Sequence, residues 1–371
     1  MTKFGLLKNK IKTFFSLFSW EIGVDLGSSN TLIYLKDRGV IIDEPTMLAR
    51  QKRKRWTGLS APKSKKSGPI AFGLKAKEML NREPRQIEVV SPIKNGVISD
   101  LEALESLISY YLKLVYEIPS KYPKIFKPKV IVGVPGSINQ VQKRAVKSVF
   151  LNAGAKEVIL LEEVVLAAIG IGLPMNNSSG LVIVDVGGGK TEVSVISMGG
   201  VVVGRGIKTA GNDLDNSIIN YVKMKYGILI GPNSAERIKM EIGSFSKKNE
   251  ESKITLVRGR DLETGLPKTV KVSEVEIREA MAMELTKIVK LVSTVLDETP
   301  PELMEDILKR GIVLVGNGGK INGLASLIET ETKIFTKVME DAGMMVIKGC
   351  GELIQNREIL KQVKLVSGLK E

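Results

Sequence analysis

DLGSSNT at residues 25–31 is answered 160 residues later by DVGGGKT at residues 185–191. In both, an acid ends an apolar run, and an apolar residue, a glycine, two small residues, a polar residue and a threonine follow. The flanks repeat as well. WEIGVDLGSSNTLIYLK (20–36) and GLVIVDVGGGKTEVSVIS (180–197) each read as strand, glycine turn, strand. Small residues after a strand let successive backbone N–H groups approach an anion without obstruction from Cβ atoms. Two such turns suit the two sides of a polyphosphate. Asp25 and Asp185 at the strand ends suit a hydrated Mg²⁺, which keeps several of its waters. Taken singly, either turn could be an ordinary hairpin. A third glycine turn, GNGG at 316–319, strengthens the set. There is no GxxxxGK[ST], and GVPGS (133–137) does not supply GxGxxG, so neither of those nucleotide signatures applies.

Around these turns, apolar strands alternate with helical patterns. Residues 101–117 place Leu104, Leu107, Ile108, Tyr111 and Leu112 on one helical face. PKVIVGVP (128–135) is a buried strand, followed by a helix from about 139 to 152. GGVVVGRGI (199–207) adds a strand, helices are expected at 213–226, 233–245, 274–297 and 301–309, and GIVLVGNGG (311–319) ends a strand in the third turn. The expectation is an α/β protein with mixed sheets covered on both faces, built as a duplicated fold of two halves with a cleft between them.

Composition limits the chemistry. The 371 residues exceed what one hydrophobic core usually serves. One cysteine, Cys350, excludes an intrachain disulfide and points to a reducing compartment. Histidine is absent, which removes histidine bases, Ser-His-Asp triads and histidine-ligated metals. Carboxylates, lysines, hydroxyls and amides must carry any reaction.

The net charge of +14 is concentrated in two places. Residues 1–20 hold Lys3, Lys8, Lys10 and Lys12 and no acid, and residues 50–66 hold eight Lys and Arg and no acid. The remaining chain is nearly neutral. In the first stretch Phe4, Leu7, Ile11, Phe14, Phe15 and Phe18 fall within a helical arc of about 100°, with lysines on both flanks. That pattern suits a helix lying in an anionic membrane surface, the alternative being a helix packed on its own domain. A signal peptide fits poorly, because a strand follows the short apolar stretch without a cleavage-like site. The second stretch reads as an exposed loop, either solvated or making a further lipid contact beside Trp56. Nucleic acid is the weaker partner, since the aromatic interleaving of a single-strand platform is missing.

The motifs DLGSSNTLIYLKDRGVIIDEPT (25–46), SPIKNGVISD (91–100), IVGVPGSI (131–138), AGAKEVILLEEVVLAAIGIGLP (153–174), LVIVDVGGGKTEVSVIS (181–197), SAERIKMEIG (234–243) and TPPELMEDILKRGIVLVGNGG (299–319) occur in that order. Together they resemble the MreB family of bacterial actins over roughly residues 20–365. The resemblance implies an actin-like duplicated fold of two domains, or four subdomains, flanking a nucleotide cleft. The corresponding division is an N-terminal membrane helix at 1–19, a first domain at 20–155, a second at 156–345 and a C-terminal segment, 346–371, returning to the first. ATP and Mg²⁺ are the implied ligands. Gly27, Ser28, Ser29 and Asn30 correspond to the first phosphate loop and Gly187, Gly188 and Gly189 to the second. Asp25 and Asp185 correspond to the acids that organise the metal. Glu163 corresponds to the acid that positions and polarises the attacking water, with Asp185 assisting. Glu236, Arg237, Ile238 and Lys239 match the helix at the ribose and adenine, and Gly316, Asn317, Gly318, Gly319 and Lys320 the turn behind the base.

The chain departs from the family pattern at Val164, where proline is usual, at Lys190, where threonine is usual, at Asn212 and in the GNGGK turn. Lys190 could face the phosphates, pair with an acid or point away. The implied function is a slow Mg²⁺-dependent ATPase whose filaments lie on the cytoplasmic face of the plasma membrane and organise cell shape and wall growth, with transmembrane cell-shape and wall-synthesis proteins as partners. The competing readings are a small-molecule kinase of the same superfamily, with Glu163 as base, and a nucleotide-holding scaffold with little hydrolysis.

Overall fold

The computed structural model describes residues 20–52, 68–119, 127–176, 178–246 and 253–366. The expected helix at 1–19 and most of the basic segment 50–66 lie outside the described residues. Two compact units result, one built mainly from the chain up to Leu166 plus Ile347–Lys361, the other mainly from Ala167–Val346.

The first unit is organised on a five-stranded sheet. Its strands are β1 (Glu21–Leu26), β2 (Asn30–Leu35), β3 (Gly39–Pro45), β4 (Lys129–Val134) and β5 (Glu157–Glu162), in the order β5-β4-β1-β2-β3. β1 runs antiparallel to β2 and parallel to β4. Strand β5 pairs in parallel with β4, so residues 157–166 belong with the first unit, past the boundary at 155/156 that the sequence suggests. Helix α1 (Leu101–Glu117) starts where the Asp100 side chain accepts from the Ala103 amide, and buries Leu104, Leu107, Ile108, Tyr111, Leu112 and Val115. Helix α2 (Gln140–Asn152) opens with a reciprocal Asn139–Gln142 capping box. Helix α3 (Glu163–Gly170) follows β5 directly.

The second unit repeats the plan. Its strands are β6 (Leu181–Val186), β7 (Thr191–Ser197), β8 (Gly200–Ile207), β9 (Ile312–Val315) and β10 (Thr336–Val338), in the order β10-β9-β6-β7-β8. Directions match those of the first unit, strand for strand. The register matches too: Asp25 faces Leu32 and Leu26 faces Thr31, while Asp185 faces Glu192 and Val186 faces Thr191. Each partner pair is displaced by the same 160 residues. Helices α4 (Gly211–Tyr226), α5 (Pro232–Ile242), α6 (Glu274–Asp297) and α7 (Pro301–Arg310) pack on this sheet, and α8 (Met345–Gln355) and α9 (Arg357–Val366) close the described chain. A core of Val, Ile and Leu from the β6, β7 and β9 strands and from α4–α7 fills the unit.

Arg50, the first charge of the basic segment, is not solvated. It lies in the short strand Leu48–Gln51 and donates to Glu88 and to Asp100, each at 2.7 Å, with 16% of its side chain exposed. Among the described residues no helix is long and apolar enough to cross a membrane.

Candidate functional site

In the first unit the turn between β1 and β2 is closed by the Gly27 amide donating to the Asn30 carbonyl at 3.0 Å. The second unit builds its turn identically, with Gly187 N–H donating to the Lys190 carbonyl at 3.0 Å. A Cβ on Gly27 would lie 2.7 Å from the Asn30 oxygen, and one on Gly187 3.2 Å from the Lys190 oxygen, so both closures require glycine or a local shift. Next in each turn come Ser28 and Ser29, or Gly188 and Gly189. Among the described residues their amides donate to no protein acceptor. This is the arrangement an anion nest needs: closed at its base and open at its amides.

Each turn is braced from behind. Thr46 Oγ1 donates to the Gly27 carbonyl at 2.7 Å and meets Thr31 Oγ1 at 2.9 Å. Ser28 Oγ accepts from the Gly96 amide at 2.9 Å, which leaves its own proton to donate. Asn30 Nδ2 donates to Asp43 at 2.8 Å. In the second unit Thr191 Oγ1 donates to the Thr209 carbonyl at 2.7 Å, and the first amides of α4, on Gly211 and Asn212, donate to the carbonyls of Gly187 and Gly188.

Asp25 is half-buried on β1, and Asp185 on β6 is 8% exposed. Gly316, at the end of β9, sits against Asp185: a Cβ there would lie 2.5 Å from its Oδ1. Glu163, at the β5–α3 junction, is buried at 5% exposure while Glu162 is half-buried. Glu163 is therefore not the solvated helix end that a charge pair invites.

Lys190 is held. Its Nζ donates to Glu192 Oε2 at 2.7 Å, with 15% and 6% of the two side chains exposed, and Ser137 Oγ donates to Glu192 Oε1 at 3.3 Å. Of the three possibilities open to this lysine, pairing with an acid is the one observed.

On α5 the four flagged residues separate. Lys239 Nζ reaches the start of α4 beside the second glycine turn, donating to the Gly211 carbonyl at 3.0 Å and pairing with Asp215 at 2.8 Å. Arg237 turns to Glu241 and the Leu256 carbonyl. Ile238 is fully buried in the core of the second unit, and Glu236 is half-buried. In the third turn Asn317–Lys320 form a single 3₁₀ turn, with Gly319 buried and Asn317 and Lys320 exposed. Asp215 and Glu192 are the acids that sequence reasoning missed. Glu192 follows the DVGGGKT repeat by one position, and its burial on a strand is the signal that could have flagged it.

Each unit by itself holds a closed turn with open amides and an acid at the end of the preceding strand, parts suited to a phosphate group, and the first unit adds a buried glutamate on a helix start. The pattern of the MreB/Mbl protein family matches residues 19–362. The chain belongs to the MreB/Mbl family. Cell shape-determining protein MreB of Escherichia coli (strain K12) is 42% identical over 346 residues, covering 93% of this chain and 96% of that one. MreB5 of Spiroplasma citri bound to ADP superposes with a TM-score of 0.83 at 33% identity, over 93% of this chain and 98% of that one. The same MreB5 bound to AMPPNP gives 0.82 at 34% identity, over 95% and 99%. The actin-like fold expected from the sequence is thus the fold observed, and the MreB/Mbl match spans both five-stranded sheets.

Proposed function

We propose that this MreB/Mbl chain binds ATP, assembles with copies of itself into filaments, and organises cell shape from the cytoplasmic face of the plasma membrane. The observation that carries the reading is the duplicated turn, in which Gly27 and Gly187 close identical loops beneath unengaged amides. Support comes from the nucleotides in the Spiroplasma citri structures and from the cell-shape role in the name of the Escherichia coli relative. The Ser28, Ser29, Gly188 and Gly189 amides receive phosphate oxygens, and Ser28 Oγ adds a hydroxyl donor. Asp25 and Asp185 would hold Mg²⁺, which when bound would neutralise phosphate charge. Glu163 orients a water and accepts its proton, the acid–base role open to a chain without histidine. The amphipathic segment 1–19 attaches the filament to anionic lipid, with wall-synthesis and transmembrane cell-shape proteins as partners.

A second reading, a nucleotide-holding scaffold with little hydrolysis, draws on the Lys190–Glu192 pair, which places an extra cation at the second turn. One experiment addresses both. Purified chain is sedimented with ATP, Mg²⁺ and vesicles containing anionic lipid while phosphate release is followed. Filaments on vesicles with slow phosphate release are expected. Filaments without release select the scaffold, and a chain that stays monomeric at high concentration overturns the assembly reading. Deleting residues 1–19, or raising salt, is expected to abolish or weaken vesicle binding.

A further inference from the structure

The second unit carries a small antiparallel sheet in which Ile228–Leu229, Ile254–Asp261 and Pro267–Ser273 pair in that order. Its two faces differ. On the inner one Val257 and Val272 are fully buried in the core, and Val270 packs against it. Side chains alternate along a strand, so Ile254, Leu256, Arg258 and Arg260 share the outer face. The register sets Lys271 beside Leu256, Thr269 beside Arg258 and Pro267 beside Arg260. All seven are exposed, Ile254 at 62% and Leu256 at 54%.

Charge follows the same division. Lys268, which the register places with the inner set, is held by Asp261 at 2.7 Å. Arg258, Arg260 and Lys271 pair with no acid among the described residues, and none of the seven outer-face residues is an acid. Glu263 belongs to the turn that joins the strands, outside the paired register. The outer face thus sets three unneutralised cations beside two bare aliphatic side chains.

Size and chemistry select the partner. From Ile254 to Arg260 the face runs about 20 Å, at ~3.4 Å per residue, and it is two strands wide, which suits a short segment rather than a globular surface. It has no aromatic side chain on which a single-stranded nucleic acid would stack. Two aliphatic side chains are too little apolar surface to enter a lipid layer, where a continuous apolar face is needed. Strand addition is discouraged, because the edge strand Pro267–Ser273 starts with proline and carries Lys268 and Lys271. Arg258 and Arg260 project the same way about 7 Å apart, the spacing of alternate side chains on an extended peptide. A guanidinium fork matches a carboxylate with two parallel hydrogen bonds. We propose that this outer face docks an acidic segment of a partner protein, with Arg258 and Arg260 receiving carboxylates and Ile254 and Leu256 giving apolar contact. The proposal is independent of the nucleotide-binding reading.

The test titrates the full chain into a fluorescently labelled peptide of alternating glutamate and leucine, read by anisotropy. A peptide with lysine in place of glutamate is the control. Saturable binding of the acidic peptide is expected, weakening at least about ten-fold from low to high salt. Arg258→Gln combined with Arg260→Gln is expected to weaken it at least about ten-fold. Leu256→Ser is expected to weaken it about five-fold, which charge attraction alone would not do. Arg144→Gln combined with Lys147→Gln removes the same charge from the exposed side of α2 and is expected to leave binding unchanged. Melting curves identify any variant that fails to fold, and the single Arg258→Gln and Arg260→Gln variants then carry the comparison. No saturable binding by the native chain, equal binding of the lysine peptide, or an equal loss in the α2 variant overturns the proposal. So does an arginine variant that keeps the peptide but loses single-stranded DNA or anionic lipid vesicles.

Discussion

The Lys190 ammonium lies 2.7 Å from Glu192 Oε2, on a carboxylate only 6% exposed. A buried glutamate without its cation is costly, so the pair is a structural commitment of the second glycine turn. Lys190→Met is expected to destabilise the protein by about 3 kcal/mol, the usual penalty for breaking a buried pair on one side. Lys190→Met combined with Glu192→Gln is expected to recover part of that loss. Denaturant titration of the two single variants and the double variant measures the coupling, and additive effects would show that the pair contributes nothing.

Glu163→Gln keeps the shape of a buried side chain and removes its basicity. Phosphate release is expected to fall at least about a hundred-fold, the lower range for loss of a general base, while ADP affinity stays near that of the native chain. Release at the native rate would remove Glu163 from the chemistry.

On α6 and its capping residue, Glu276 joins two elements. It accepts from the Ser273 amide at 2.7 Å and pairs with Lys225 of α4 at 2.8 Å. Burial raises its pKa, but hydrogen bonds from Lys225, Tyr226 and Ser273 outweigh it and hold the carboxyl at about 2, below the ordinary 4.5. A pKa depressed in the folded state means stability that is present above the unfolded value and is lost as pH falls through the folded one. The melting temperature of the native chain is expected to drop as pH goes from about 5 towards 2. Glu276→Gln should melt lower at neutral pH and show a shallower acid decline, and parallel curves would contradict this.

Cys350 is fully buried on α8. Burial, and then the nearby Asp25 charge, push its thiol up, so the reactive thiolate is disfavoured twice over. Alkylation is expected to be very slow at pH 8 in the native chain and to accelerate in proportion to unfolding as denaturant is added. Prompt labelling would mean that α8 opens locally.

Much of the fold was legible because local signals and burial agree. Helices α1 and α6 fall at 101–117 and 274–297 as the periodicity indicates, since Asp100 and Ser273 cap them and apolar residues keep a helical period. The duplicated turns were legible as repeated residues. Their shared hydrogen-bond closure and register were not, because those depend on strand pairing. The hairpin of Ile254–Asp261 and Pro267–Ser273 is harder to read, because its outward positions include Ile254 and Leu256 and so blur the alternation that burial of Thr255 and Val257 would otherwise give. Arg50 looked like one more loop charge, and only the strand pairing brings Glu88 and Asp100 to it. Ile238 shows the limit of motif transfer: a residue inside a matching stretch can serve the core instead.

The common register of the two halves means that the molecule carries its own control experiment. In the turns and the strands that flank them, positions separated by 160 residues occupy equivalent backbone surroundings, so a change at Gly27 has its reference at Gly187. The halves diverge at the fourth turn residue: Asn30 is tied to Asp43 across to β3, and Lys190 to Glu192 on the strand β7 that follows it. One half has a neutral amide there and the other a cation, so two turns of one backbone design differ in the charge they offer a neighbour.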